Sequence, residues 1–163
     1  MLLVGYGAAS AAQGAANPHR CTAAAYRQFD FWLGDWDVFE ARGSRVEARN
    51  RVDPILNGCA IRERYAATDG LRGESISIYD AARGVWQQTW VTNRGTLLVL
   101  AGRQIGRRMI LTGPRDQPSQ WRSLSRGVWI AVPGGVRETA TVSSDGGRNW
   151  RPLFDIVFRP HRR

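Results

Sequence analysis

Histidine is nearly missing from this chain: there are two, His19 and His161, both near the ends. A haem or zinc centre needs His or Cys ligands gathered inside the fold. Neither histidine is placed to supply one, and a Ser-His-Asp triad would need a terminal histidine to reach the interior. No metal and no cofactor is therefore expected. No Gly-x-Ser-x-Gly elbow, P-loop or dinucleotide fingerprint is present either, so no reaction class is marked by a motif.

Lysine is absent altogether. All 23 basic residues are arginine, against 14 acidic ones, for a net charge of +9. That balance raises nucleic-acid or acidic-lipid binding as a function. The arginines, however, are spread along the chain in runs no longer than two, whereas a nucleic-acid binder concentrates them on one helix or stripe. A basic soluble protein with an arginine-biased composition, and no nucleic-acid partner, is the favoured reading. No apolar run approaches the roughly 18 residues that a membrane span requires, so no span is expected.

Cysteine is limited to Cys21 and Cys59. In an oxidising compartment they would form one bridge; in the cytosol they would be two buried thiols. The first residues favour the former. Residues 1–16 are apolar and rich in small side chains, with Leu2-Leu3-Val4 followed by Ala9-Ser10-Ala11, which fits an A-x-A cleavage signal. A positive n-region is missing, and a disordered tail is the alternative. An export signal is favoured, and with it a periplasmic or secreted location and a Cys21–Cys59 bridge. Cys21 does not follow a lipobox-like Leu-Ala-Gly, which argues against lipidation.

What the chain does have is a strand pattern. Its 163 residues suit one domain with a real core, expected over residues 21–160. The organising stretch is Gln28 to Phe39, where a short helix over Ala23 to Gln28, capped by Thr22, hands over to a strand at Gly34-Asp35-Trp36. Trp36 and Val38 then point one way and Asp35, Asp37 and Phe39 the other.

Downstream, apolar and polar residues alternate between turn signals spaced every eight to twelve positions. The pattern predicts strands over 35–41, 45–53, 59–67, 73–79, 85–92, 96–104, 107–112, 122–132, 136–143 and 150–159. Pro54 ends the second, and a loop over Gly113 to Gln120 precedes the eighth. Short turns imply antiparallel neighbours, and closure removes exposed edges. The fold class is all-β, an up-and-down barrel of about ten strands with a short N-terminal helix. Between the last two strands, Ser143-Ser144-Asp145-Gly146-Gly147-Arg148-Asn149-Trp150 matches the Asp-box Ser-x-Asp-x-Gly-x-x-Trp at every defined position. It reads as a hairpin device: Asp145 bonds turn amides, Gly147 takes a positive φ and Trp150 packs over the turn.

Candidate site residues follow from inward parity. Ile61, Glu63 and Tyr65 share a face opposite Arg62 and Arg64, so Glu63 turns inward. Trp86, Gln88 and Trp90 share a face, taken as inward. Val136, Glu138, Ala140 and Val142 share an apolar face, which turns Glu138 inward. Arg126 is grouped with Val128 and Ile130. Glu63, Tyr65, Trp86, Gln88, Trp90, Arg126 and Glu138 are therefore the expected ligand-binding set, a few polar groups among aromatics. The competing reading is that Arg126 pairs with a glutamate in a satisfied internal network and nothing binds.

Phe29-Asp30-Phe31-Trp32-Leu33-Gly34-Asp35-Trp36-Asp37-Val38 resembles the opening signature of a family of uncharacterised bacterial proteins. The resemblance continues in Asn57-Gly58-Cys59, Ser77-Ile78-Tyr79-Asp80, Trp86-Gln87-Gln88-Thr89-Trp90 and Val136-Arg137-Glu138, and covers Cys21 to Arg159. More distantly, Gly34-Asp35-Trp36 is similar to the Gly-x-Trp of lipocalins and other calycins. There the Trp closes the barrel floor beside a short helix, often against an Arg from the last strands; Arg151 or Arg159 would serve here. The resemblance implies a lipocalin-like barrel, often exported, with no assigned activity. Glu138 stands where Gln is commoner in the family. Nitrobindin-type haem barrels share the shape, but the missing internal His argues against haem.

The function expected is binding of a small apolar or amphipathic molecule, with Arg126 suggesting an acidic one. The alternatives are an enzyme using Glu63 or Glu138 as acid or base, and an interaction module with a filled barrel.

Overall fold

The computed structural model describes residues 21–115 and 123–162. The expected export signal or tail, His19 and most of the Gly113–Gln120 loop lie outside the described residues. Ten strands form among them: β1 (Gly34–Glu40), β2 (Ala48–Ile55), β3 (Ala60–Ala67), β4 (Arg72–Asp80), β5 (Val85–Thr92), β6 (Leu97–Ile105), β7 (Arg108–Pro114), β8 (Leu124–Val132), β9 (Gly135–Ser143) and β10 (Arg151–Pro160). Each pairs antiparallel with its sequence neighbours, and β1 pairs with β10. The result is a closed all-β barrel with no free edge, the architecture that the turn spacing predicts and one that is lipocalin-like.

Local chemistry explains most boundaries. Pro54 was expected to end the second strand, yet it lies inside β2, opposite Ile61. The β1 partners stop at Gly34↔Val52, so on that side Pro54 has no neighbour to which it would owe an N–H. The β9–β10 hairpin is built as the Asp-box reading expects. Asp145 Oδ1 accepts from the Arg148 and Asn149 backbone N–H groups at 3.0 and 2.9 Å, Gly147 sits at φ +89°, and the Trp150 indole donates to the Gly147 carbonyl at 2.9 Å.

The expected helix is a 3-10 turn, Ala24–Arg27, followed by a second, Asp30–Trp32. Ala23, not Thr22, takes the cap position, and no side chain caps it. These turns close one end of the barrel. Phe29 stacks on Trp32 with ring centres 5.0 Å apart and meets Trp86 and Trp129 edge-on, and Trp32 meets Phe158. All five rings are essentially buried. Such ring pairs each contribute about 0.5–1.5 kcal/mol beyond the area they remove from water.

The Trp36 ring folds back over Gly34, where a Cβ would come within 2.5 Å of it. Its indole donates to the Trp32 carbonyl at 3.0 Å. Among the described residues no arginine plays the part expected of Arg151 or Arg159: Arg151 is exposed, and Arg159 lies over the Phe39 ring, on the face opposite Trp36. The Cys21–Cys59 disulfide ties the start of this floor to the turn before β3, and such a bond marks an oxidising compartment. Arg27 donates to the Gly58 carbonyl beside it. No helix among the described residues is long and apolar enough to cross a membrane.

Candidate functional site

Above the aromatic floor the barrel is hollow. A cavity of about 350 Å³ reaches the opposite end, where Glu40, Glu47, Leu71 and Leu153 stand at its mouth. Its walls are largely apolar: Trp90 from β5, Leu98 and Leu100 from β6, Trp129 from β8, Ile156 from β10. Two tryptophans lie flat because the strands beneath them carry glycine. A Cβ on Gly73 would come within 2.2 Å of the Trp90 ring, and one on Gly127 within 2.5 Å of the Trp129 ring.

The polar groups gather mid-barrel. Glu63 is 6% exposed. Its Oε1 accepts from Asn50 Nδ2 at 3.0 Å and its Oε2 from the Ser75 hydroxyl at 2.8 Å. Gln88 Nε2 donates to Ser77 Oγ at 3.2 Å and reaches Ser75 at 3.5 Å. These contacts follow from register: Ser75 lies opposite Glu63, and Ser77 opposite Gln88. Burial pushes the Glu63 carboxyl up to about 7, against the smaller opposing effect of its Ser75 and Asn50 hydrogen bonds.

Glu138 projects into the same space from β9, opposite Trp129. It is enclosed by protein, and the exposure it keeps is to the cavity. Burial, reinforced by the Glu63 charge, holds its carboxyl well above the usual range. The Trp129 indole opposes this, although its N–H is buried without a hydrogen-bond partner. Tyr65, edge-on to Trp90 at 6.0 Å, is pushed up to about 12 by burial and by Glu138 and Glu63. Asn50 Oδ1 is also buried and unpartnered.

Of the residues singled out from sequence, Glu63, Tyr65, Gln88, Trp90 and Glu138 come together on the cavity wall. Trp86 faces inward but belongs to the floor. It is buried against Phe29, and its indole donates to Gln28 Oε1 at 3.2 Å. Arg126 is a correction. Arg126 does border the cavity, but the inward residues of β8 are Ser125, Gly127 and Trp129, and its guanidinium is turned to the outer face. There its Nε donates to Thr112 Oγ1 at 3.3 Å and its guanidinium covers the Trp150 ring at 3.8 Å. Val128 and Ile130 go outward with it. Asn50, Ser75, Ser77 and Ser125 were missed. For the first three the signal is positional, as small polar residues directly across from Trp36, Glu63 and Gln88; Ser125 lies across from Gly113 and Val142 and carries no such signal.

Among the described residues, no group of three or more His, Cys, Asp or Glu is placed to hold a metal ion. No protein-family model matches the chain, and no curated protein is significantly similar to it.

Proposed function

We propose that this protein binds a small apolar or amphipathic molecule inside its barrel. The cavity carries the reading: about 350 Å³, walled by Trp90, Leu98, Leu100 and Ile156, with Glu63, Gln88 and Glu138 converging on one region. Apolar walls with a few convergent polar groups are the ordinary composition of a small-molecule site. The hollow interior weighs against a filled interaction module. Native mass spectrometry of the protein recovered from its own compartment should find a co-purifying small molecule. Titration with a neutral naphthylamine dye should show saturable binding that this molecule displaces. A ligand-free protein that also fails to bind the dye would end the proposal.

A second reading is favoured by one observation. A buried carboxyl titrating at about 7, with a second acid beside it, is suited to proton transfer near neutrality. An enzyme would return the co-purified molecule chemically altered on incubation, whereas a carrier would return it unchanged.

The disulfide supports a periplasmic or secreted location, and membership of the exported bacterial family is proposed on the motif resemblance alone. N-terminal sequencing of exported protein, beginning near Ala12, would establish the leader.

A further inference from the structure

Charge is sorted by face in this barrel. Glu63 and Glu138 line the cavity mid-barrel, and Glu40 and Glu47 line its mouth. Arg126, the one basic residue on that wall, turns its guanidinium outward onto Trp150. Other arginines are tied up outside, Arg49 with Asp35 and Asp37, Arg64 with Asp53, Arg137 with Asp155. A chain of net charge +9 thus encloses, among the described residues, a cavity in which the inward ionisable side chains are acids.

We infer that the ligand carries a cationic, amine-type head held between Glu63 and Glu138, with its apolar body against Trp90, Leu98, Leu100 and Ile156. This rests on the ligand-binding reading above and adds the chemistry of the head group.

Two observations besides the acid pair point to a ligand there. Glu63 is fixed from behind by Asn50 and Ser75, one bond to each oxygen, which leaves further lone pairs for an incoming donor. The Trp129 N–H, buried on the cavity wall, has no partner. It faces Glu138, and a carboxylate there accepts from it better than the neutral acid does. The faces of Tyr65 and Trp90 also attract cations. A carboxylate head would instead meet two acids with no cation to pair with, at a full desolvation cost.

The protons balance. Burial raises both carboxyls, Glu63 to about 7, so below neutrality Glu63 holds its proton in the empty cavity. Entry of an ammonium makes the carboxylate the better state of one of them, and that proton leaves to solvent. The groups facing the pair are Tyr65 on β3 and the neutral Asn50, Ser75, Gln88 and Trp129 on their neighbours, so no other side chain competes for the charge.

The test compares octylamine, octanol and octanoate, which share a tail, by calorimetric titration of the full chain at about pH 8, above the Glu63 transition. Octylamine should bind at least about tenfold more tightly than octanol, the scale of a charge-assisted contact, and octanoate most weakly. At about pH 6, below the Glu63 transition, the octylamine heat should vary with the buffer in the sense of proton release, and that dependence should shrink at about pH 8. Glu63→Gln and Glu138→Gln should each remove most of the octylamine advantage over octanol, with cooperative urea unfolding of each variant reporting an intact barrel. Octanol equal to octylamine, or octanoate the tightest, overturns the inference and leaves the binding reading standing. Failure of all three to bind overturns the inference, and the co-purifying molecule then decides the binding reading separately.

Discussion

At the scale of the residue, Glu63 governs how the fold responds to pH. Its carboxyl titrates near 4.5 in an unfolded chain and near 7 in the barrel. A carboxyl raised by folding stabilises the native state below its unfolded value, and that stability is lost as pH rises through its folded value. The loss falls between about pH 4.5 and 7 and amounts to about 3 kcal/mol. Glu63→Gln cannot ionise, so it should match the wild type near pH 4 and exceed it above pH 7 in urea denaturation. Wild type and variant running parallel across that window would show that the carboxyl is not desolvated. The inward turn of Glu63 was legible because two arginines flank it, and burying those would cost more. Arg126 was misread for the same kind of reason. Val128 and Ile130 share its parity, and an apolar pair looks like an inner face. In β8 the inner face goes instead to Ser125, Gly127 and Trp129, since a large indole needs a small neighbour beneath it.

At the scale of the element, glycine paired with tryptophan decides how much of the barrel stays empty. Gly73 on β4 lies under Trp90 on β5, and Gly127 lies under Trp129 on its own strand. Gly73→Ala places a methyl where the Trp90 ring now rests and should drive that ring into the lumen. We expect a destabilisation of about 1–3 kcal/mol, the usual cost of overpacking, and a larger loss of dye affinity than of stability. Unchanged dye affinity would mean that Trp90 yields outward. Strand number, order and most boundaries were legible because period-two alternation and short turns agree along the chain. Polarity misleads where the lumen is wet. In β4 the serines face in and Ile76 and Ile78 face out, 48% and 39% exposed, because Ser75 and Ser77 are needed by Glu63 and Gln88. A single strand read alone does not show that need; its neighbours' register does.

At the scale of the whole molecule, the barrel is closed twice over, by the β1–β10 seam and by the aromatic floor that Cys21–Cys59 anchors. The bridge closes a loop of sequence separation 38, for which chain entropy gives about 4 kcal/mol. Replacing both cysteines with serine should lower urea stability by roughly that amount; an unchanged midpoint would assign the anchoring to the packed rings alone. Cys21 and His161 both sit at this floor: Cys21 is bridged there, and the His161 N–H donates to the Asp35 carbonyl beside it. Glu40, Glu47, Leu71 and Leu153 mark the far end. Tethered to a bead or sensor chip by a tag after residue 163, every copy would therefore stand with its opening toward the bulk solution, as a cup stands on its base.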